Sequence, residues 1–324
     1  MSKNLYPIKF QPILKDKIWG GQKLKTLLNK NNDLPNAGES WEISDVEGDT
    51  SVVNNGELKG SSLKALLETY KSDLIGEKNY KVFGNKFPLL IKFIDAREDL
   101  SIQLHPNDEL AAKRHNSFGK TEMWYVMQAD DDSNLIVGFN QKVTPETYLK
   151  HLEEKSLTKI LNFDKVKEGD TYFIEVGRVH AIGAGVMLAE IQQTSDITYR
   201  VYDWDRVDSE GNERDLHNDL AIDAINFEMK DDFRIDYSKT ENVSNEMVNC
   251  PYFTTSYLNI DATIIEKVNT FDSFMIYMCV DGEATITANT YSETLKKGET
   301  VLLPAALKSF KISAKNAKLL EVYV

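Results

Sequence analysis

Three stretches of the chain carry side chains that could grip a metal ion. The first is Ser101-Ile102-Gln103-Leu104-His105-Pro106. Side chains alternate faces along an extended strand, so Gln103 and His105 project together while Ile102 and Leu104 face the other way. Pro106 cannot donate to a ladder and ends the strand. The second stretch, Gly119-Lys120-Thr121-Glu122-Met123-Trp124-Tyr125, puts Glu122 seventeen residues after His105 at the start of the next strand-like run. A hairpin-like return there would bring the carboxylate beside His105. The third stretch is Gly177-Arg178-Val179-His180-Ala181-Ile182, in which His180 follows a strand and a glycine-containing turn. Gln103, His105, Glu122 and His180 together form a shell of nitrogen and oxygen donors. Imidazole and carboxylate suit zinc or iron, and zinc is the preferred reading.

The other titratable groups are read more plainly. The chain has five histidines. His115 and His151 sit in charged, helical surroundings and read as surface residues, while His217 lies beside an apolar stripe and reads as packing or capping. Lys120 and Arg178, taken alone, are turn cations. Lys92 differs, because it interrupts the apolar run Leu89-Leu90-Ile91-Lys92-Phe93-Ile94. A buried lysine requires an anion, which a substrate phosphate would supply.

Elements that could hold such a shell are short and β-rich. Runs of β-branched and aromatic residues recur at 88–95, 101–104, 123–128, 133–139, 171–176 and 187–193, punctuated by Gly, Asn and Asp. That spacing predicts an all-β sandwich or barrel. Helices are expected behind Ser61-Ser62, where Leu63, Leu66, Leu67 and Tyr70 share a face, and behind Thr144-Pro145, leading to Tyr148, Leu149 and Leu152. A third is expected along Leu216, Leu220, Ala221, Ala224 and Ile225. These read as insertions packed on a barrel. The polar stretch 236–249 reads as a connection, dividing the chain into a catalytic unit, 1–237, and a C-terminal barrel, 238–324. Gly169-Asp170-Thr171-Tyr172-Phe173-Ile174 resembles Gly298-Glu299-Thr300-Val301-Leu302-Leu303, a turn and strand in each half. Since no histidine follows His217, only the first half can hold an imidazole-bound metal.

Composition narrows the partners. Length, 324 residues, allows two domains, and 41% hydrophobic with 27% charged residues is the balance of a globular protein. A net charge of −13 disfavours nucleic acid, and a phosphorylated substrate would need a local cationic pocket. Met1 to Tyr6 are followed by no apolar run long enough for a signal peptide, and no stretch is apolar enough to span a bilayer, so the expectation is a cytoplasmic protein, monomeric or homodimeric. Cys250 and Cys279 lack metal or redox spacing and read as packing residues without a disulfide.

Four blocks in order carry a family resemblance: Gln103-Leu104-His105-Pro106-Asn107-Asp108, Gly119 to Tyr125, Gly177 to Ile182, and Glu190-Ile191-Gln192-Gln193-Thr194-Ser195-Asp196-Ile197-Thr198-Tyr199-Arg200. With Trp19-Gly20-Gly21 and Gly38-Glu39-Ser40-Trp41-Glu42 before them, they resemble the type I mannose-6-phosphate isomerases, close to the short bacterial form. The resemblance implies two cupin-type, jelly-roll barrels with helical insertions in and around the first, and one zinc ion per chain bound by Gln103, His105, Glu122 and His180. It implies reversible conversion of mannose 6-phosphate and fructose 6-phosphate through a cis-enediol. Arg200, Glu190 and Lys120 would be catalytic, and Ser101, Lys92 and Trp19 would contact substrate. Asp196 and a metal-bound water compete with Glu190 as proton shuttle. The large helical domain of longer family members has no counterpart here.

Two other readings stay open on the residues alone. One is an iron-dependent cupin oxygenase, disfavoured by Gln103 because such sites use two histidines and a carboxylate with open positions. The other is a non-catalytic sugar-phosphate-binding cupin.

Overall fold

A computed structural model describes residues 5–31, 33–208 and 210–324; the opening residues 1–4, used above against a signal peptide, lie outside it. Strands take 43% of the chain and helices 15%, the strand-dominated architecture that the short β-branched runs predict. A six-stranded sheet runs in the order Ile13–Gly21, Ala37–Ile43, Leu89–Asp95, Val186–Gln193, Glu122–Ala129, Thr171–Ile174. Facing it, a five-stranded sheet runs Tyr199–Tyr202, Ile102–Leu104, His180–Ile182, Asn134–Phe139, Leu161–Lys165. These two sheets make the first barrel. A third, curled sheet makes the second barrel, built on the long strands Thr254–Val268, Met275–Ala288 and Ser309–Tyr323. All pairings in the three sheets are antiparallel.

Period-two alternation decides what each face of the six-stranded sheet does. Ile91 and Phe93, Met123, Tyr125 and Met127, and Met187, Ala189 and Ile191 project outward into a core that also contains Leu63, Leu66 and Leu67 from the helix Leu63–Tyr70. Ile276, Met278, Leu320 and Val322 of the second barrel enter that same core. The alternate residues, Lys92 and Ile94, Glu122, Trp124 and Val126, and Leu188 and Glu190, face into the first barrel. Both faces are therefore buried, and the polar members of the inner set gather toward one end, where the site forms.

The two barrels are joined by more than their connecting segment. Ile8 pairs with Leu302 across the whole length of the chain, and the Phe87 and Phe274 rings lie 4.7 Å apart. Arg234 still bridges Tyr172 of the first barrel, whereas Glu241 bridges Asn259 of the second. The two related turn-and-strand segments fold alike: Gly169 and Gly298 have φ of +88° and +84°, each leading into a strand, Thr171–Ile174 and Thr300–Leu303. Positive φ at these turns is the reason for glycine.

Three expectations need adjustment. The third helix is one turn, Asn218–Ala221, and Leu216 is exposed. The backbone on either side is committed to the barrel, with His217 N donating to Arg200 O at 2.7 Å and Asn226 N to Gly177 O at 2.8 Å, so the apolar stripe does not wind further. The polar stretch 236–249 ends in a strand, Ser244–Asn249, whose Asn245, Met247 and Val248 are buried. The strands Ile13–Gly21 and Ala37–Ile43 and the helix Glu77–Phe83 add to the expected elements. Both predicted N-caps form, Ser62 accepting from Ala65 N at 3.2 Å and Thr144 from Thr147 N at 3.3 Å. Cys250 and Cys279 are free thiols, and no helix among the described residues is long and apolar enough to cross a membrane.

A shared core implies that damage on one side is felt by the whole chain. Phe274→Ala removes a fully buried ring and should lower unfolding free energy by about 3–5 kcal/mol in urea denaturation. A loss under about 1 kcal/mol would mean that the barrels do not depend on this junction.

Candidate active site

His105 follows the short strand Ile102–Leu104, His180 opens the adjacent strand His180–Ile182, and Glu122 opens a strand of the opposite sheet. Their donor atoms all lie within 4.8 Å of one another. His105 Nε2 is 3.3 Å from Glu122 Oε1, and His180 Nε2 is 3.8 Å from Oε2. Each imidazole is oriented from behind: His105 Nδ1 lies 2.8 Å from Ile197 O, and His180 Nδ1 lies 2.8 Å from Arg178 O. Donation from Nδ1–H to a carbonyl fixes the tautomer that leaves a lone pair on Nε2. Gln103 sits between His180 and Arg200 in strand register. Its Nε2 is 3.5 Å from His180 Nε2, and its oxygen accepts from Ser101 Oγ at 3.3 Å. The amide nitrogen thus faces the imidazoles, and a half-turn of the side-chain amide would present the oxygen instead.

Electrostatics prepare these groups for a cation. Burial pushes the His105 imidazolium down to about 3, with the Lys120 charge adding to the effect, and burial also lowers His180. Both rings are thus neutral. Burial disfavours ionised Glu122, but Lys120 and His105 overcome it and hold the carboxyl well below its ordinary range. His105 Nε2 and both Glu122 oxygens are buried without a well-aligned hydrogen bond, although Lys120 Nζ stands 2.9 Å from Oε1. Unsatisfied buried lone pairs on His105 and on both Glu122 oxygens, with His180 Nε2 aimed at the same space, are what a divalent ion would satisfy. The donor set fits a metal.

Beside this cluster lies a cleft of about 760 Å³, open to solvent at its mouth. Glu190 and Lys92, opposite neighbours on adjacent strands, pair across it with Oε1 to Nζ at 3.0 Å. Glu190 Oε2 accepts from Trp124 Nε1 at 2.8 Å, while Oε1, ion-paired with Lys92, has no well-aligned hydrogen bond. Burial raises the Glu190 pKa, Glu122 adds to the rise, and Lys92 opposes it. Lys92 is also 3.9 Å from Glu39, which accepts from Trp41 Nε1 at 2.5 Å. Burial disfavours the Glu39 carboxylate, yet Lys92 and Lys17 bring it down to about 2. The anion that Lys92 requires is therefore the protein's own Glu190, flanked by Glu39. Arg200 donates from Nε to Ser101 Oγ at 3.2 Å and from an Nη to Asp215 O at 2.9 Å.

The fold brings ten sequence-derived positions into one region. Trp19, Lys92, Ser101, Gln103, Lys120, His180, Glu190 and Arg200 line the cleft, and His105 and Glu122 complete the ligand cluster beside it. Asp196 also lines the cleft but is exposed. Arg178 stays outside, its guanidinium pairing with Glu175 at 2.7 Å and lying 5.0 Å from the Phe233 ring centroid. His115 is exposed, with Nε2 2.9 Å from the Tyr199 hydroxyl; His151 bonds Ser156; His217 accepts from Arg200 N at 3.2 Å.

Lys17, Glu39, Trp41 and Arg214 line the cleft without having been assigned roles from the sequence. Alternation in Gly38-Glu39-Ser40-Trp41-Glu42 was an available signal. Glu39 and Trp41 face the cleft, while Glu42 turns away to pair with buried Lys30 at 2.8 Å. Gly38 lets that strand lie against the Trp19 indole, which a Cβ would approach to 2.7 Å. Arg214 carries no such pattern; it is placed by the buried Asp203 carboxylate, which accepts from its Nε at 2.7 Å.

Comparison with known proteins gives the family. A family model described as phosphomannose isomerase type I, catalytic domain, matches residues 8–134, and one described as mannose-6-phosphate isomerase, cupin domain, matches residues 244–324. The chain is 35% identical over 311 residues to mannose-6-phosphate isomerase ManA of Bacillus subtilis (strain 168), covering 94% of this chain and 95% of the relative. It is 32% identical over 305 residues to the mannose-6-phosphate isomerase of Streptococcus mutans, covering 94% of each. The crystal structure of a mannose 6-phosphate isomerase from Bacillus subtilis superposes with a TM-score of 0.89 at 31% identity, covering 98% of this chain and 99% of the other. The two barrels are cupin-type, and the chain belongs to the type I phosphomannose isomerase family.

Proposed function

We propose that this chain interconverts mannose 6-phosphate and fructose 6-phosphate, with one zinc ion held by Gln103, His105, Glu122 and His180. The observation that carries the proposal is the opening of a buried two-histidine, one-carboxylate cluster onto the same cleft as Glu190, Lys92 and Arg200, in a member of this family. Two histidines and a carboxylate also suit non-haem iron. Family membership and the neighbouring amide of Gln103 favour the isomerase over an oxygenase, and the acid and cations in the cleft favour catalysis over mere binding.

Moving a carbonyl between C1 and C2 removes a proton from the carbon beside it and returns one to its neighbour, with negative charge developing on oxygen. When bound, zinc supplies Lewis-acid polarisation of a sugar oxygen, a contribution of several kcal/mol. Glu190 takes and returns the carbon-bound proton. Its raised pKa brings its basicity closer to neutral pH, and Lys92 and Trp124 fix the direction of its oxygens. Arg200, tied to Ser101, and Lys120, beside Glu122, place positive charge where the enediolate develops. Trp19 walls the cleft against the sugar. Asp196 is the weaker candidate for the shuttle, since its carboxylate is exposed and not oriented by the buried network that holds Glu190.

In a coupled assay, a chelator should abolish conversion of mannose 6-phosphate and added zinc should restore it; zinc-replete protein with no conversion would contradict the proposal. Glu190→Gln should lower kcat by about 10²–10⁴-fold and stop deuterium incorporation from D2O, with zinc content unchanged. Near-wild-type turnover in that variant would transfer the proton shuttle to another group.

A further inference from the structure

Thr121 stands between Lys120 and Glu122, and both of its backbone polar groups are taken by Gln193. Thr121 N donates to Gln193 Oε1 at 2.9 Å, and Thr121 O accepts from Gln193 N at 3.2 Å. Gln193 Nε2 in turn donates to Asp108 Oδ1 at 3.1 Å, the oxygen that also accepts from Gly119 N at 2.7 Å. The second oxygen, Asp108 Oδ2, accepts from the Tyr252 hydroxyl at 2.8 Å. One carboxylate therefore receives three donors from three separate parts of the chain. Gly119 permits this approach, because a Cβ there would fall 2.7 Å from Asp108 N. Asp108, Gln193 and Tyr252 are all absent from the cleft lining.

Tyr252 belongs to the second barrel. It sits in the turn 250–253 between the strands Ser244–Asn249 and Thr254–Val268, a turn closed by Cys250 N donating to Phe253 O at 3.0 Å. Here the second barrel, which carries no histidine, reaches the segment that presents two groups of the site.

We propose that Asp108 and Tyr252 are positioning residues through which the second barrel fixes the 119–122 segment, and with it Lys120 and Glu122. This rests on the isomerase reading for the roles of those two groups. Hydrogen bonds to a carboxylate are shorter and stronger than neutral ones, and a displacement of about 1 Å at a catalytic group is enough to slow a reaction 10²-fold. Removing the tyrosine hydroxyl leaves Asp108 Oδ2 without this donor and frees the carboxylate to turn away from Gly119 and Gln193.

The test is Tyr252→Phe in the full-length, zinc-loaded protein. Amide hydrogen exchange at Gly119 and Thr121 should speed by about fivefold or more, while strands elsewhere exchange as before. On the isomerase assay at saturating zinc kcat should fall by about tenfold, with KM within about twofold. Asp108→Asn keeps the shape of the side chain and should show the same split; combining it with Tyr252→Phe should add less than about twofold. Unchanged exchange at residues 119 and 121, unchanged kcat, or faster exchange throughout the protein would each overturn the positioning role. The exchange measurement reads the clamp even if the wild-type chain proves inactive on mannose 6-phosphate, so failure of the clamp and failure of the isomerase reading give different results.

Discussion

A carboxylate buried between two neutral imidazoles is the arrangement on which the rest of the molecule depends. Glu122 is 1% exposed, and neither of its oxygens has a well-aligned hydrogen bond. An ionised group so placed is severely penalised unless cations or donors offset its lost hydration. Lys120 supplies one cation at 2.9 Å, itself 5% exposed and so in need of Glu122 in return. His105 and His180 aim lone pairs at the same space because their other nitrogens are engaged by backbone carbonyls. A divalent ion would satisfy the lone pairs that the protein leaves open there.

That balance extends across the inner face of the sheet. Reading along the three central strands, Lys92, Glu190 and Glu122 alternate with apolar residues that point the opposite way, and Glu39 with Trp41 continues the row on the next strand. Acid and base therefore adjoin: Glu190 meets Lys92, and Glu39 meets Lys92 and Lys17. Burying these charges demands a sheet covered on both faces. The helix Leu63–Tyr70 and the second barrel provide the outer cover, through a core that runs from Ile91 to Val322. The second barrel thus contributes to the site by excluding water from the sheet that carries it.

Much of this was legible in the residues. Gln103 and His105 could be placed on one face from their spacing and Pro106, and the recurring short strands pointed to a barrel. His180 could be singled out by histidine scarcity and its glycine-bearing turn. Glu190 and Arg200 were reached only through the family resemblance, because an isolated acid or arginine in a strand has no pattern of its own. What escaped was set by tertiary contact. The stripe from Leu216 to Ile225 obeys helical spacing, yet the barrel captures its flanking backbone and one turn remains. Ser244–Asn249 looked like a connection because its polar residues outnumber its apolar ones, and pairing with Thr254–Val268 makes it a strand. The anion facing Lys92 could not be named in advance, since it comes from a strand nearly a hundred residues later.

X-ray absorption at the zinc edge of the loaded protein, compared with that of His105→Ala, reads the ligand shell itself. Nitrogen and oxygen donors only are expected, with two imidazoles at about 2.0–2.1 Å. One imidazole should vanish in the variant. A shell containing sulfur, or one that His105→Ala leaves intact, would place the metal away from His105, Glu122 and His180.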